Sequence, residues 1–408
     1  MHRRAAAEIC LAFAMNVARR FLRCVHVLRG EKFKNGAAVN AHKKHYFWDS
    51  VFLIAGMAIG ASVLGLPVSL RSCGYWPALA GTLLVYLCTL ASGVLLAQLF
   101  VANHDSDLPT LFRRHLGRSG AALFNASYFT LAFCLLVAYW SCLNGIFRSG
   151  ALVVVVVGIL LYLGLRHGFE LLGEINGALT IVLIFSFAVL TISAFMGERV
   201  PAACLANWSE LPMGLPIILC SFGYHQVVPI VCERLDYDSG RIKRALIVGT
   251  AIPLVFNATI LTIGFRLFTA LELAEAAKLG IPVFVLLKNR FGSDLFLYAG
   301  RLFSFCAIGT SMLGISMAMK GALRDIFKSN KILWQLVEVM IVLPLVPAIF
   351  KPQLFFIILD VAGGIFGNLI AGLLPVMPFL FPQRFRLRHL LLWSVFAAIF
   401  AVTCIKLL

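Results

Sequence analysis

"LIAGMAIGASVLGLP", Leu53–Pro67, is the stretch whose reading decides the fold. It sits in an apolar run long enough to cross a membrane, yet it carries Gly56, Gly60 and Gly65 and closes on Pro67. In a helix interior glycine costs about 1 kcal/mol relative to alanine, and proline about 3. Hydrocarbon supplies no water to groups that a broken helix sets free, so such backbone persists only against protein or a polar cavity. The stretch therefore reads as an interrupted helix whose open backbone has a use.

The surrounding composition names the solvent. Of 408 residues, 61% are hydrophobic and 13% charged, with a mean hydropathy of +0.93; soluble domains run about 45–50% apolar and roughly 25% charged. Apolar runs at 48–70, 76–100, 121–146, 149–165, 175–196, 211–232, 245–268, 296–319, 332–350, 354–377 and 389–408 are continuous rather than alternating. They read as eleven transmembrane helices of an all-α polytopic membrane protein. An odd number places the termini on opposite sides, and the distribution of the 35 Lys and Arg residues puts the N-terminus in the cytoplasm. The net charge of +17 is then mainly topological, and no nucleic-acid role is expected. Residues 1–47 form a basic cytoplasmic tail and 48–408 the membrane domain. The eleven cysteines show no CxxC pair or metal spacing, so no metal or cofactor is expected.

A second irregular stretch answers the first. In the sixth span, "PIILCSFGYHQVVPIV", the residues Ser221, Phe222, Gly223, Tyr224 and His225 interrupt an aliphatic run between Pro216 and Pro229. The first and sixth helices open two successive five-helix units, 48–196 and 211–377, with 389–408 as an extra helix. An odd unit length makes such units inverted, and transporters of this plan place discontinuous helices at matching positions near the bilayer midplane. Gly56-x-x-x-Gly60 alone fits helix packing; paired with the polar break in the sixth span, it reads as half of a substrate site. Helix ends at such breaks offer N–H groups to an anion and carbonyls to a cation.

These residues carry a resemblance. "SVFLIAGMAIGASVLGLPVSLRSCGYWPAL" (Ser50–Leu79), "CSFGYHQVVPIVCERLDYDSGRIKRALIVGTAIPLV" (Cys220–Val255), "LGRSGA" and "GTSMLGISMAMKGALRDIF" (Gly309–Phe327) resemble the bacterial tyrosine and tryptophan permeases of the amino acid–polyamine–organocation superfamily. The resemblance implies a five-plus-five inverted-repeat transporter that imports an aromatic amino acid, tyrosine first or else tryptophan or phenylalanine, by proton symport across the bacterial inner membrane, with the C-terminus periplasmic. It implies substrate contacts from Gly56, Met57, Ala58, Ile59, Gly60 and Ala61, and from Ser221, Phe222, Gly223, Tyr224 and His225. Tyr128, Tyr139, Asn144, Thr310 and Ser311 would close the pocket from the third and eighth helices. The chain departs from the family's Gly-Thr-x-Ile-Gly-Ala-Gly at Met57 and Ser62, which bears on substrate choice. Serine, threonine or branched-chain amino acids are the alternative substrates.

His225, whose ordinary pKa is about 6.5, and Asp360, inside the tenth span, are the candidates for a coupling proton. Sodium would instead need hard oxygens such as Thr310 and Ser311 beside the first helix. A membrane enzyme would need convergent catalytic groups, but no HExxH or histidine cluster is present. The expected partners are a small-molecule substrate and lipid, with no obligate protein partner.

Overall fold

The computed structural model describes residues 38–104, 107–146, 169–195, 206–279, 283–292, 294–327, 335–336, 339–340, 343–350, 355–381 and 386–407. Among them there is helix and turn but no strand. The helices are α1 (Ala38–Ala58), α2 (Ala61–Ser69), α3 (Tyr75–Asn103), α4 (Leu108–Ile146), α5 (Phe169–Phe195), α6 (Leu211–Cys220), α7 (Val228–Arg234) and α8 (Ser239–Leu267). They continue as α9 (Ala270–Leu279), α10 (Val283–Phe291), α11 (Asp294–Ile326), α12 (Leu345–Phe350), α13 (Phe355–Val361), α14 (Leu374–Val376) and α15 (Leu387–Leu407). Eight segments of the described residues are long and apolar enough to cross a membrane, and Tyr46–Ala58 is a shorter apolar helix. Of the eleven expected spans, 149–165 lies outside the described residues and 332–350 is described only in pieces.

Two helices begin earlier than hydropathy alone suggests. α1 starts at Ala38, ahead of the boundary expected at 48, because the polar "AVNAHKKHYF" contains no helix breaker. α4 starts at Leu108 and bends at Gly117, where φ is 71°. A side chain would be strained there, and glycine is not.

The two expected interruptions are present. The first span ends as helix at Ala58 and restarts at Ala61, with Gly60 in an extended conformation. The sixth ends at Cys220, turns through Ser221–Tyr224, and resumes through the 3₁₀ turn His225–Val227 into α7. A third irregularity was not expected. Behind α13 the glycine-rich "AGGIFGNLIAGL" widens into two π-helical turns, Ala362–Gly367 and Leu369–Leu373. Such turns leave part of the i→i−4 ladder open and are frequent at functional sites.

Close packing holds the interrupted segments. α1 lies against α5, α8 and α11; α6 lies against α3 and the first π turn; and α2 lies against α8. The α2–α8 contact has no spare room. A Cβ placed on Gly264 would stand 2.7 Å from Pro67 Cγ, whereas one on Gly309 would meet only Leu179 at 3.5 Å. We predict that Gly264→Ala lowers stability by about 1–3 kcal/mol, the usual cost of overpacking, and that Gly309→Ala is nearly neutral. Thermal unfolding of both variants in the same detergent checks the contrast.

Candidate functional site

A helix that stops in an apolar interior leaves its last four carbonyls without i+4 donors. At the end of α1 these belong to Gly56, Met57, Ala58 and Ile59, and two hydroxyls and one amide lie where the missing donors would be. Thr310 Oγ1 lies 3.0 Å from Gly56 O, with Cys306 O at 2.9 Å and Ala307 O at 3.1 Å sharing its one hydrogen. Ser311 Oγ lies 3.0 Å from Gly56 O, 3.3 Å from Met57 O and 3.5 Å from Ile59 O. Ala58 O accepts from Gly60 N at 2.9 Å. Two adjacent hydroxyls on α11 thus hold the break open. One turn earlier, Asn176 Nδ2 of α5 donates to Phe52 O at 3.2 Å.

The second break closes largely on itself. Ser221 N, Phe222 N and Gly223 N donate to Ile218 O, Leu219 O and Cys220 O at 3.0, 3.1 and 3.3 Å. Ser221 Oγ also donates to Ile218 O at 2.7 Å and accepts from Asn257 Nδ2 of α8 at 2.8 Å. The chain emerging from this turn carries His225 and Gln226, both almost wholly buried.

His225 Nε2 and Ser92 Oγ lie 2.8 Å apart, and which of them donates follows the tautomer of the ring. Ser92 Oγ also lies within hydrogen-bond reach of Ala371 O and, at 3.1 Å, of Thr89 O. His225 Nδ1 is buried, with no partner among the described residues.

Between the breaks is a cavity of about 30 Å³, roughly enough for one or two waters and too small for an amino acid. Met57, Ala58 and Gly60 line it from the first break, and Cys220, Gly223, His225 and Gln226 from the second. α4 adds Leu131, Leu135 and Tyr139; the π-helical turns add Ala362, Gly363, Gly367, Ile370 and Ala371. Gly60 keeps this junction tight, since a Cβ there would stand 3.1 Å from both Ser311 Oγ and Tyr139 Oη.

Other residues expected at the site lie behind its walls. Thr310 and Ser311 brace the first break rather than lining the cavity. Tyr224 stacks on His225, with centroids 4.5 Å apart, and donates its hydroxyl to Thr89 O at 2.9 Å, facing α3. The Phe222 ring lies 5.8 Å from Tyr86, and Tyr128 packs between Phe124 and Phe129. Ile59 is buried outside the lining, and Ala61 opens α2. Asn144 lies in α4. Gln226, Cys220 and the tenth-span wall were missed. The glycine run 362–372 was the available signal for that wall.

Each side of the cavity ends in a charged cluster. Asp360 of α13 pairs with Lys406 of α15 at 2.7 Å, and the same ammonium donates to Met213 O at the start of α6 at 3.1 Å. At the other end of the sixth span, buried Asp107 faces the charges of Asp325 and Glu233. Asp107 Oδ1 accepts from Leu108 N at 2.7 Å.

This is the build of a multi-pass membrane transporter. Solved structures of the Eremococcus coleocola manganese transporter, one of a complex and one of a mutant, superpose with TM-scores of 0.61 and 0.62 at 14% and 13% identity. They cover 92% of this chain and 88% of theirs, and at that identity the likeness is one of fold. Residues 43–405 match the tryptophan/tyrosine permease family, and the chain belongs to it. It is 26% identical to the tyrosine-specific transport system 1 of Haemophilus influenzae, over 80% of this chain and 86% of that protein. It is 27% identical to a tryptophan-specific transport protein of Pseudomonas aeruginosa, over 67% and 71%. A glutamine transporter 2 of Aliivibrio fischeri shares 23%, over 77% and 84%. The chain is therefore a permease and not an enzyme.

Asp107, just outside the span that begins at Leu108, gives the pH response of the folded state. Burial, opposed by the Leu108 amide and reinforced by Asp325 and Glu233, pushes its carboxyl up to about 8 from 3.8. The folded chain therefore keeps a proton that the unfolded chain gives up. This contribution to stability is present at low pH, falls as pH rises between about 4 and 8, and is level above that. We predict that wild-type stability drops by more than ~1 kcal/mol from pH 6 to 8 and that Asp107→Asn flattens the decline. Melting curves at several pH values check it.

Proposed function

We propose that this chain imports aromatic amino acids, tyrosine foremost and tryptophan next, by proton symport across a bacterial inner membrane. The observation that carries the reading is the cavity walled by both helix breaks. The N–H groups that open α2 lack intrahelical acceptors and suit a carboxylate, while the carbonyl ends of α1 and α6 suit an ammonium. Leu131, Leu135 and Ile370 suit an apolar ring, and the names of the tyrosine- and tryptophan-specific relatives point the same way.

The two breaks open the units 48–196 and 211–377, in keeping with an inverted repeat and alternating access. The cavity is closed at its present volume, so admitting substrate requires the walls to part. Movement of α6 and the π-helical turns against α4 would open it on the side of Lys406, taken as periplasmic. Movement at Asp107 and Glu233 would open the other side, taken as cytoplasmic with the N-terminus.

The coupling proton fits His225. The neutral ring has one nitrogen free of hydrogen that can receive a proton at the cavity wall, and the ring would then carry a charge that only an open or occupied site could tolerate. Asp360 is a weaker candidate because Lys406 already compensates its charge. Sodium coupling would instead draw on the hydroxyl oxygens of Thr310 and Ser311 with the α1 carbonyls beside them, and the sodium-free arm of the uptake test separates the two ions.

Uptake of labelled tyrosine into proteoliposomes, with an imposed inward proton gradient and no sodium, tests this reading. We expect accumulation that collapses with the gradient, and competition by excess tyrosine and tryptophan but not by leucine, serine or glutamine. His225→Gln should retain tyrosine binding and lose most of the gradient response. Competition by leucine, serine or glutamine alone would overturn the aromatic assignment.

A further inference from the structure

Gln226 is unassigned by anything above except its place in the wall. It lies in the 3₁₀ turn His225–Val227, one residue past the proposed coupling histidine, and is 3% exposed. Its Oε1 is buried, with no hydrogen-bond partner among the described residues. An amide oxygen in that condition is costly: leaving a buried acceptor unmade forfeits about 1–3 kcal/mol. Native interiors rarely tolerate such an atom without a use for it.

The surroundings indicate what would satisfy it. The turn carrying Gln226 packs on the π-helical turn Leu369–Leu373, whose Ile370 and Ala371 share the cavity wall. Leu131 and Leu135 line the same cavity from α4. The polar ends of an amino acid have other partners at the two breaks, the amides opening α2 and the carbonyl ends of α1 and α6. With Oε1 the amide atom turned to the cavity, its complement is a donor on an otherwise apolar group. A phenol O–H and an indole N–H are such donors; a phenyl ring has none.

We propose that Gln226 is the specificity-determining residue of this site, with Oε1 accepting the hydrogen bond of a phenol hydroxyl or indole N–H on the substrate's ring. This rests on the aromatic amino acid reading above and deepens it: the permease selects aromatic side chains that carry a donor and discriminates against phenylalanine. A site built to bond a substrate hydroxyl rejects the analogue without it, because the site's own polar atom is then left bare. A hydrophobic pocket of the same size makes no such distinction.

The test measures inhibition of labelled tyrosine uptake by unlabelled tyrosine, tryptophan, phenylalanine and O-methyltyrosine, in wild type and in Gln226→Met. In wild type, phenylalanine and O-methyltyrosine should inhibit at least about tenfold more weakly than tyrosine. In Gln226→Met, tyrosine should weaken about tenfold while phenylalanine holds or improves, so that the preference narrows toward unity. Direct binding of labelled phenylalanine supplies the same comparison where tyrosine uptake is too slow. Equal inhibition by phenylalanine and tyrosine in wild type overturns the proposal, and this arm decides even where Gln226→Met fails to fold. Equal weakening of every ligand in Gln226→Met also overturns it, because Gln226 would then serve the part all substrates share. A wild type that neither takes up nor binds tyrosine, tryptophan or phenylalanine but takes up labelled leucine or glutamine is a separate outcome, in which the aromatic reading itself fails.

Discussion

The hydroxyls of Thr310 and Ser311 on the carbonyls of Gly56, Met57 and Ile59 are the interaction on which the rest depends. A membrane-spanning helix cannot stop in mid-bilayer unless its terminal carbonyls find donors. In this chain two consecutive residues of α11 set their hydroxyls among those carbonyls. With the end of α1 held in this way, Gly60 can stay extended and α2 can begin on a new axis. Those two features expose backbone N–H and C=O groups to a cavity rather than to lipid. The second break needs less outside help, because its turn folds back on Ile218, Leu219 and Cys220. The two breaks are alike in place and different in construction.

Because one break is braced from α11 and the other closes on itself, they need not move together. α6 is tied at its first turn by Lys406, which also holds Asp360, and along its length by the first π-helical turn. Separating that group from α4 would enlarge the cavity without disturbing the hydroxyl brace at α1. At the opposite end, Asp107 is packed against α11 closely enough that a Cβ on Gly321 would collide with its carboxylate.

Much of this architecture was legible in the sequence, for a physical reason. Glycine, proline and polar residues are so costly inside an apolar helix that Gly60, Gly223 and His225 announce a break wherever they fall. The first and sixth spans could therefore be read as discontinuous before any coordinates. What lies opposite a break is another matter. The direction of a side chain past an irregular turn does not follow helical phase, so Tyr224 could be placed near the site but not seen to face Thr89. Gln226 belongs to the same turn, and nothing in its spacing marks it as a wall residue. The tenth-span wall arises from π-helical widening, which shifts the register of Ala362–Leu373 away from a 3.6-residue period. The Lys406–Asp360 pair joins residues far apart in sequence and needed the folded chain to be seen.

The most direct measurement of the account is a density map of the protein saturated with tyrosine in a lipid nanodisc. The account predicts ligand density between the two breaks, with the carboxylate at the start of α2 and the ring among Leu131, Leu135 and Ile370. Both breaks should persist, with Ser311 still on the α1 carbonyls. A ligand bound elsewhere, or a first span that runs as continuous helix through Ile59 and Gly60, would contradict it.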